Sequence, residues 1–425
     1  MKKILGHHFF GVLSLVLLIV SLTPRGALAQ DEVKTRVSPG IDVLRLSNFE
    51  ILKGKRIGLI TNPTGVASDL RSTVDILYDA AEVNLVALFG PEHGVRGDIE
   101  AGKPIEGFND SRTGLPVYSL YGKTRKPTTD MLRGLDVLVY DIQDIGVRSY
   151  TYISTLGLAM EAAAENNVEF VVLDRPNPLT GNRVEGPMLD LRFKSFVGMY
   201  PIPYVYGMTV GEIARMINDE GWLNNGARCR LTIVHMDGWK REMWWDQTGL
   251  PWIATSPHIP HARTAMFYAM TGLLGEIGTA NQGVGYTLPF EIVGAPWIDG
   301  NRLAFDLNNR NLPGVIFRPM FYRPFYYDTT GIRYGGVQVH VVDRDRADLM
   351  LTQFAILEAL VRVFPERNIF ARARPDKQEM FDKVMGTDLV RRRLSNGVTV
   401  EELLREIDQE RATFMIRRAR YLLYE

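Results

Sequence analysis

Two stretches of the chain concentrate groups that can move protons: FGPEHGVRG at 89–97 and DIQDIGVRSYTY at 141–152. The first sets Glu92, His93 and Arg96 among glycines; the second sets Asp141, Gln143, Asp144, Arg148, Tyr150 and Tyr152 around Gly146. Neither composition serves a core strand, and a solvent loop has no need of the apolar run NLVALF that feeds the first. Carboxylates, amides, guanidinium groups and phenols together suit a polyhydroxylated ligand. Cleaving a glycosidic bond requires one carboxyl kept protonated by its surroundings and a second group that stabilises an oxocarbenium-like centre. Glu92 is the best donor candidate, because Gly90 and Pro91 set it immediately beyond a buried run, where desolvation favours the neutral acid. An ion pair with Arg96 or Arg148 would lower its pKa instead and spoil that role.

The elements that must position these groups are legible as apolar runs. RIGLI (56–60), NLVALF (84–89), DVLVY (136–140), EFVVLD (169–174) and RLTIVHM (230–236) read as strands buried on both faces, with STVDILYDAA, ISTLGLAMEAAAENN and TVGEIARMINDEGW as helices between them. This alternation predicts an α/β fold with a doubly wound, mostly parallel sheet. In such sheets the loops leaving the carboxyl ends of the strands line the ligand crevice. Four of them, TNPTG (61–65), GPEHGVRG (90–97), DIQDIGVRSYTY (141–152) and RPNPLTG (175–181) after Asp174, converge on one rim. They supply Glu92, Asp144 and His93 as candidates for catalysis, and Asn62, Arg96, Asp141, Gln143, Arg148, Tyr150, Asp174 and Asn177 for substrate binding. Asn62-Pro63 and Asn177-Pro178 are also turn formers in their own right, and Asp174 could cap a turn. Among the carboxylates that could assist Glu92, Asp144 is favoured for its glycine-containing turn, whereas Asp141 sits tight against its strand and reads as ordering the loop.

The N-terminus MKKILGHHFFGVLSLVLLIVSLTPRGALAQ has Lys2 and Lys3, an apolar stretch and an Ala27-Leu28-Ala29 cleavage site, which predicts a signal peptide over 1–29 and an exported, periplasmic or secreted protein with no stable membrane insertion after cleavage. The lone Cys229 forbids an internal disulfide and reads as a small buried hydrophobe. Losing Lys2, Lys3 and Arg25 would leave 46 basic against 49 acidic residues, a balance that makes nucleic acid a poor partner. A chain of 425 residues exceeds what one core usually supports, so two domains are expected, 30–250 and 251–425, divided at the Trp/Pro-rich passage 244–260. No G-x-G-x-x-G follows a strand, and LYGKT (120–124) has Val117 where a phosphate-binding loop needs glycine, so no nucleotide cofactor is expected. HIPH (258–261) lacks the helix and further ligands of a zinc signature, so no metal is expected, and no G-x-S-x-G elbow presents a serine nucleophile.

The blocks GLITNPTG, LFGPEHGVRG, VYDIQDIGVRSYTYISTL, LDRPNPLTG and EGP (185–187), followed by SPHIPHARTAMFY and EIGTANQGVGYTLPFE, resemble in the same order the exo-acting β-N-acetylmuramidases of the NamZ type. The resemblance implies a Rossmann-like catalytic domain, a smaller C-terminal α+β domain and an active site in the cleft between them. It implies release of N-acetylmuramic acid from the non-reducing end of peptidoglycan fragments, with Glu92 as the catalytic residue and an oligosaccharide or muropeptide as partner. Glu276, Thr279 and Asn281 match the second family block and are expected to face the cleft. That block usually continues as SEGRGT, whereas Gln282 and Val284 stand here in place of its acidic residue and arginine. If that arginine reads the lactyl carboxylate of muramic acid, Arg96 or Arg148 would have to substitute. The aromatic run MFYRPFYYD (320–328) suits either sugar stacking or an aromatic core. The other reading is a sugar or muropeptide binding protein that keeps the cleft and has lost turnover.

Overall fold

All five apolar runs of the first half become strands in the computed structural model, which describes residues 37–97, 108–326 and 330–425. They are β1 (Arg56–Thr61), β2 (Asn84–Gly90), β5 (Val137–Asp141), β6 (Glu169–Leu173) and β9 (Leu231–Val234). Between β2 and β5 lie β3 (Phe108–Asn109) and β4 (Pro116–Ser119), and between β6 and β9 a separate antiparallel ribbon of β7 (Glu185–Met188) and β8 (Pro203–Val205). The main sheet has the order β3-β4-β2-β1-β5-β6-β9, parallel throughout except for the β3 edge. The run-based reading does not foresee β4, whose four residues are too few to show a pattern.

The helices start where the sequence offers caps. Ser72 accepts from the Asp75 N–H at the head of Thr73–Asp79, and Thr209 and Glu212 form a reciprocal capping box at the head of Val210–Asp219. Tyr152–Glu165 buries Ile153, Leu156, Ala159, Met160 and Ala163 against the sheet. Strand order reverses at β1, which has β2 on one side and β5 on the other. Loops diverge at such a switch point, and ligands bind beyond it. Here those loops carry Asn62 and the Gln143-Asp144 pair.

The C-terminal part is smaller: an antiparallel sheet β10-β12-β11, from β10 (Ile292–Ala295), β11 (Val315–Tyr322) and β12 (Tyr334–Val341), with helix Gly300–Asn309 packed on it and helix Leu349–Val363 largely buried. It shares a core with the first part. Ile145 and Val147, from the loop after β5, belong to one apolar cluster with Phe267, Met350, Phe354 and Phe381, and residues from 37 onward form one compact unit. The expected signal peptide lies outside the described residues. Among those residues no helix is long and apolar enough to cross a membrane.

Candidate active site

β2 delivers Glu92 through a tight turn. The Gly94 N–H donates to the Pro91 carbonyl at 3.0 Å, and His93 has φ of 72°, a left-handed value usually left to glycine. A Cβ at Gly90 would crowd the Val95 nitrogen at 3.0 Å, so glycine lets the loop fold back over the strand end without displacing it. Strained backbone of this kind persists where surrounding structure over-determines it, as at ligand sites. Glu92 and His93 are half-buried. The Leu120 N–H donates to the Gly90 carbonyl at 2.8 Å and lays the loop after β4 alongside. The Tyr121 hydroxyl from that loop is hydrogen-bonded to Glu92; burial first, then the bond and the charge of Glu92, push this phenol up to about 12.

Neither arginine that threatened Glu92 is paired with it. Arg96, expected to bind substrate, is held by Asp110 through Nε and Nη2 at 2.9 and 3.1 Å and by Asp75 at 3.2 Å, because two acids from neighbouring segments meet its fork. Arg148 is fully buried, and its Nη1 donates to the Pro187 and Ile202 carbonyls at 2.8 and 2.6 Å. Its Nη2 donates to the Met385 carbonyl at the end of helix Pro375–Met385. With no carboxylate beside it, burial draws its pKa down to about 9. It clamps the two parts of the molecule together and does not line the rim.

At the switch point the loops after β1 and β5 are tied to each other. Thr61 Oγ1 donates to the Asp141 carbonyl at 2.8 Å, and the Gln143 N–H to Thr64 Oγ1 at 2.9 Å. Yet four buried polar side-chain atoms in these loops have no partner: Asn62 Nδ2, Gln143 Oε1, Asp144 Oδ2 and Arg148 Nε. Buried polar atoms are almost always satisfied, by protein or by ordered water, so orphans gathered in two adjoining loops are groups that water or a polar ligand can complete. Asp144 Oδ1 accepts from the Tyr206 hydroxyl and, at 2.8 Å, from the Gly146 N–H. Burial raises the Asp144 carboxyl to about 7 despite these bonds. Tyr150 and Tyr152 pack edge to face at 5.0 Å and donate to the side chain and carbonyl of Thr255, at 2.8 and 2.6 Å. Burial chiefly, and the charge of Glu92 secondarily, hold the Tyr152 phenol above its ordinary value.

Several expected ligand-binding groups prove to be internal. Asp141 is fully buried in a bidentate pair with Arg175, at 2.5 and 2.9 Å. Asp174 accepts from Tyr424 and Thr209 hydroxyls at 2.6 and 2.7 Å and from the Gly211 and Arg175 N–H groups at 2.8 and 3.0 Å, which leaves it nothing to offer a ligand. Asn177 shapes its own turn, bonding the Leu179 N–H and the Met208 carbonyl, both at 2.9 Å. In the second block, Thr279 donates to the Ile369 carbonyl at 3.1 Å, and Asn281 bonds Val284, Gly283 and the Tyr322 hydroxyl. These two, with Gln282, Tyr334 and Lys377, line a cavity of about 480 Å³. Glu276, on helix Leu273–Ile277, is raised by burial, with Lys377 opposing, and its charge is felt at the Tyr204 and Tyr268 phenols.

Tyr121 and Tyr206 are not foreseen from the sequence, and His258 and Tyr326, weighed there only within HIPH and MFYRPFYYD, meet each other. His258 Nε2 lies 3.0 Å from the Tyr326 hydroxyl, the rings stacked at 6.3 Å. Burial, with the neighbouring His93, lowers its pKa. HIPH thus contributes an aromatic contact beside the Glu92 turn, and Tyr326 comes from the MFYRPFYYD run, of which Tyr327 and Asp328 lie outside the described residues.

A doubly wound sheet that holds an unpaired, half-exposed glutamate at its carboxyl edge, beside a buried carboxyl and a wall of phenols, defines an acid–base enzyme for a polar ligand. Comparison narrows the class. Residues 57–263 match the family described as exo-β-N-acetylmuramidase NamZ, N-terminal, and residues 266–424 its C-terminal counterpart. The chain is 45% identical over 395 residues to the peptidoglycan β-N-acetylmuramidase NamZ of Bacillus subtilis (strain 168), covering 93% of each. It therefore belongs to the NamZ family of exo-β-N-acetylmuramidases. Two crystal structures of DUF1343 family proteins from Bacteroides fragilis share the fold: one with TM-score 0.88 and 52% identity over 92% of this chain and 100% of the other, one with 0.74 and 30% over 92% and 99%.

Proposed function

We propose that this protein is an exo-acting β-N-acetylmuramidase that releases N-acetylmuramic acid from the non-reducing end of peptidoglycan fragments, with Glu92 protonating the glycosidic oxygen. The observation that carries the assignment is the setting of Glu92: half-exposed on a strained turn, bonded to Tyr121, with Arg96 and Arg148 both committed elsewhere. Asp144 suits the second role. It is buried and its Oδ2 is unbonded, so it fits orienting the substrate's 2-acetamido group better than attacking the sugar. Asn62 Nδ2 and Gln143 Oε1 supply a further donor and acceptor for sugar hydroxyls.

Export belongs to the same reading, since peptidoglycan lies outside the cytoplasmic membrane and residues 1–29 have the pattern of a secretory signal. N-terminal sequencing of the mature protein should begin at Gln30. The activity is tested with a chromogenic β-N-acetylmuraminide. Release of the aglycone, abolished in Glu92→Gln, supports the assignment; saturable binding without release would make the protein a muropeptide binder instead.

A further inference from the structure

The cavity of about 480 Å³ in the C-terminal part gathers polar groups that the fold leaves unbonded. Helix Pro375–Met385 packs on helix Leu273–Ile277, which ends at Gly278 with φ of 71°. With no side chain on Gly278, the methylenes of the half-buried Lys377 cross it, 3.7 Å from where a Cβ would stand, and the residue lines the cavity. Gly275, one turn earlier, makes room in the same way for the Gln282 amide, which a Cβ there would strike. Tyr334, from β12, completes this wall with its ring 5.4 Å from that of Tyr322 and only 5% of its surface exposed. Among the described residues the Lys377 ammonium, the Gln282 amide and the Tyr334 hydroxyl have no hydrogen-bond partner. The other polar side chains of the wall are spoken for, Thr279 by the Ile369 carbonyl and Asn281 by Val284, Gly283 and Tyr322.

We propose that Lys377, Tyr334 and Gln282 form a carboxylate-binding subsite for the peptidoglycan fragment. The inference rests on the muramidase reading and deepens it, since such fragments carry carboxylates on the lactyl ether and on the stem peptide. Three features support it. Lys377 is the one charged residue of the cavity wall, and among the described residues no carboxylate pairs with it. Glu276 and Asp376 feel its charge, but Asp376 is committed to Arg374 at 2.7 and 3.0 Å, and burial favours the neutral form of Glu276. The ammonium and the phenol donate, and a carboxylate only accepts, so the two sets match. A buried phenol without a partner is the group such a ligand satisfies, and the volume lies in the range of small-molecule sites. None of the lining residues belongs to the Glu92 turn or to the loop after β5, so the subsite should act on binding and not on the chemical step.

The test is titration calorimetry of the full chain with two acids, each beside its neutral amide. One is N-acetylmuramic acid. The other is N-acetylmuramoyl-L-alanyl-D-isoglutamine, whose lactyl group is already an amide and whose free acid lies on the peptide. Lys377→Gln should weaken at least one acid by roughly 10-fold, the scale of a half-exposed charge-assisted contact, and leave its amide unchanged. Loss for muramic acid identifies the lactyl group as the occupant, and loss for the dipeptide identifies the stem. Unchanged affinity for both acids, or equal weakening of acid and amide, would overturn the proposal. Should Lys377→Gln fail to fold, Tyr334→Phe, which breaks no bond within the protein, takes its place: a weakened acid beside an unchanged amide supports the proposal, and an unchanged acid overturns it. Turnover separates this inference from the one beneath it. Selective loss of an acid in Lys377→Gln, with no hydrolysis of the chromogenic muraminide by the parent, ends the enzyme reading and leaves the subsite standing, whereas hydrolysis without that selective loss does the reverse.

Discussion

The loops after β2 and β6 begin alike and end differently. GPEHGVRG and DRPNPLTG both leave the carboxyl edge of the same sheet with an acid, an arginine and turn residues. In the second, Asp174 accepts four hydrogen bonds and Arg175 neutralises Asp141. In the first, Glu92 is met by one phenol and its arginine turns away to Asp110. What roofs each loop decides the outcome. Helix Val210–Asp219 and the C-terminal Tyr424 close over Asp174, while the Glu92 turn is flanked by the loop that follows a four-residue strand. Position at a strand end identifies an edge where ligands can bind; whether the neighbours already satisfy a side chain decides if it is free to act.

The largest effect should come from the open loop. Glu92→Gln keeps shape and removes the acid, so turnover of a chromogenic muraminide should fall by roughly 10²- to 10⁴-fold. Stability should stay within about 0.5 kcal/mol, since no ion pair is broken. A variant that melted early while retaining turnover would reverse the roles of the two loops.

The closed loop should behave oppositely. Arg175→Met leaves Asp141 buried without its counter-charge, and breaking such a pair costs about 3–5 kcal/mol. Denaturant midpoints should drop accordingly, while activity per folded molecule changes far less than in Glu92→Gln. Loss of turnover without loss of stability would return Asp141 to the list of ligand-binding groups.

Much of this contrast was out of reach of the sequence, for a physical reason. Four strands, β1, β2, β5 and β6, announce themselves because burial leaves mainly apolar residues, and they lead to the edge that carries Glu92 and Asp144. β9, an edge strand of four residues, is partly exposed, contrary to the expected burial on both faces. β4 does not announce itself: PVYS, half polar and four residues long, has no period to detect. With it went Tyr121, since LYGKT could be examined only as a phosphate-binding loop. Arg148 misled for a different reason. An arginine that donates to Pro187, Ile202 and Met385 is held by backbone up to 237 positions away, and no local spacing reveals that. Asn177 was legible either way, and its turn-forming character prevailed.

Asp144 stands between the two cases, buried like Asp174 yet with Oδ2 unbonded, and pH can show which it resembles. Burial lifts its carboxyl from 3.8 to about 7. Below about pH 4 it is neutral in both folded and unfolded chains. From there to about pH 7 the unfolded chain releases a proton that the folded chain keeps, so stability falls through this window and levels off above it. Asp174 at about 6 and Glu185 at about 7 add slopes of the same sign. Asp144→Asn should therefore flatten the decline without abolishing it. Its Tm should gain on that of the parent as pH rises from about 4 to 7, by about 1 °C for each kcal/mol recovered in a unit of this size. A constant gap across that range would show that Asp144 is already ionised, through a partner other than Tyr206 and Gly146.

The smallest expected effect tests the single bond that distinguishes the open loop. Tyr121→Phe removes the hydroxyl that meets Glu92 and leaves the ring in place. A hydrogen bond to a charged group contributes about 1.5–3 kcal/mol. Glu92 is only half-buried, so water can replace part of that, and the loss should sit at the lower end, about tenfold in turnover. The effect should fall on kcat with KM nearly unchanged, because the hydroxyl holds the acid and not the sugar. If KM rose instead, with kcat intact, Tyr121 would be a sugar-binding group that merely touches Glu92 in the empty site, and the acid would be oriented by its strained turn alone. If neither constant moved, the phenol would be incidental, and the open loop would owe its character to the backbone of Gly90 and His93.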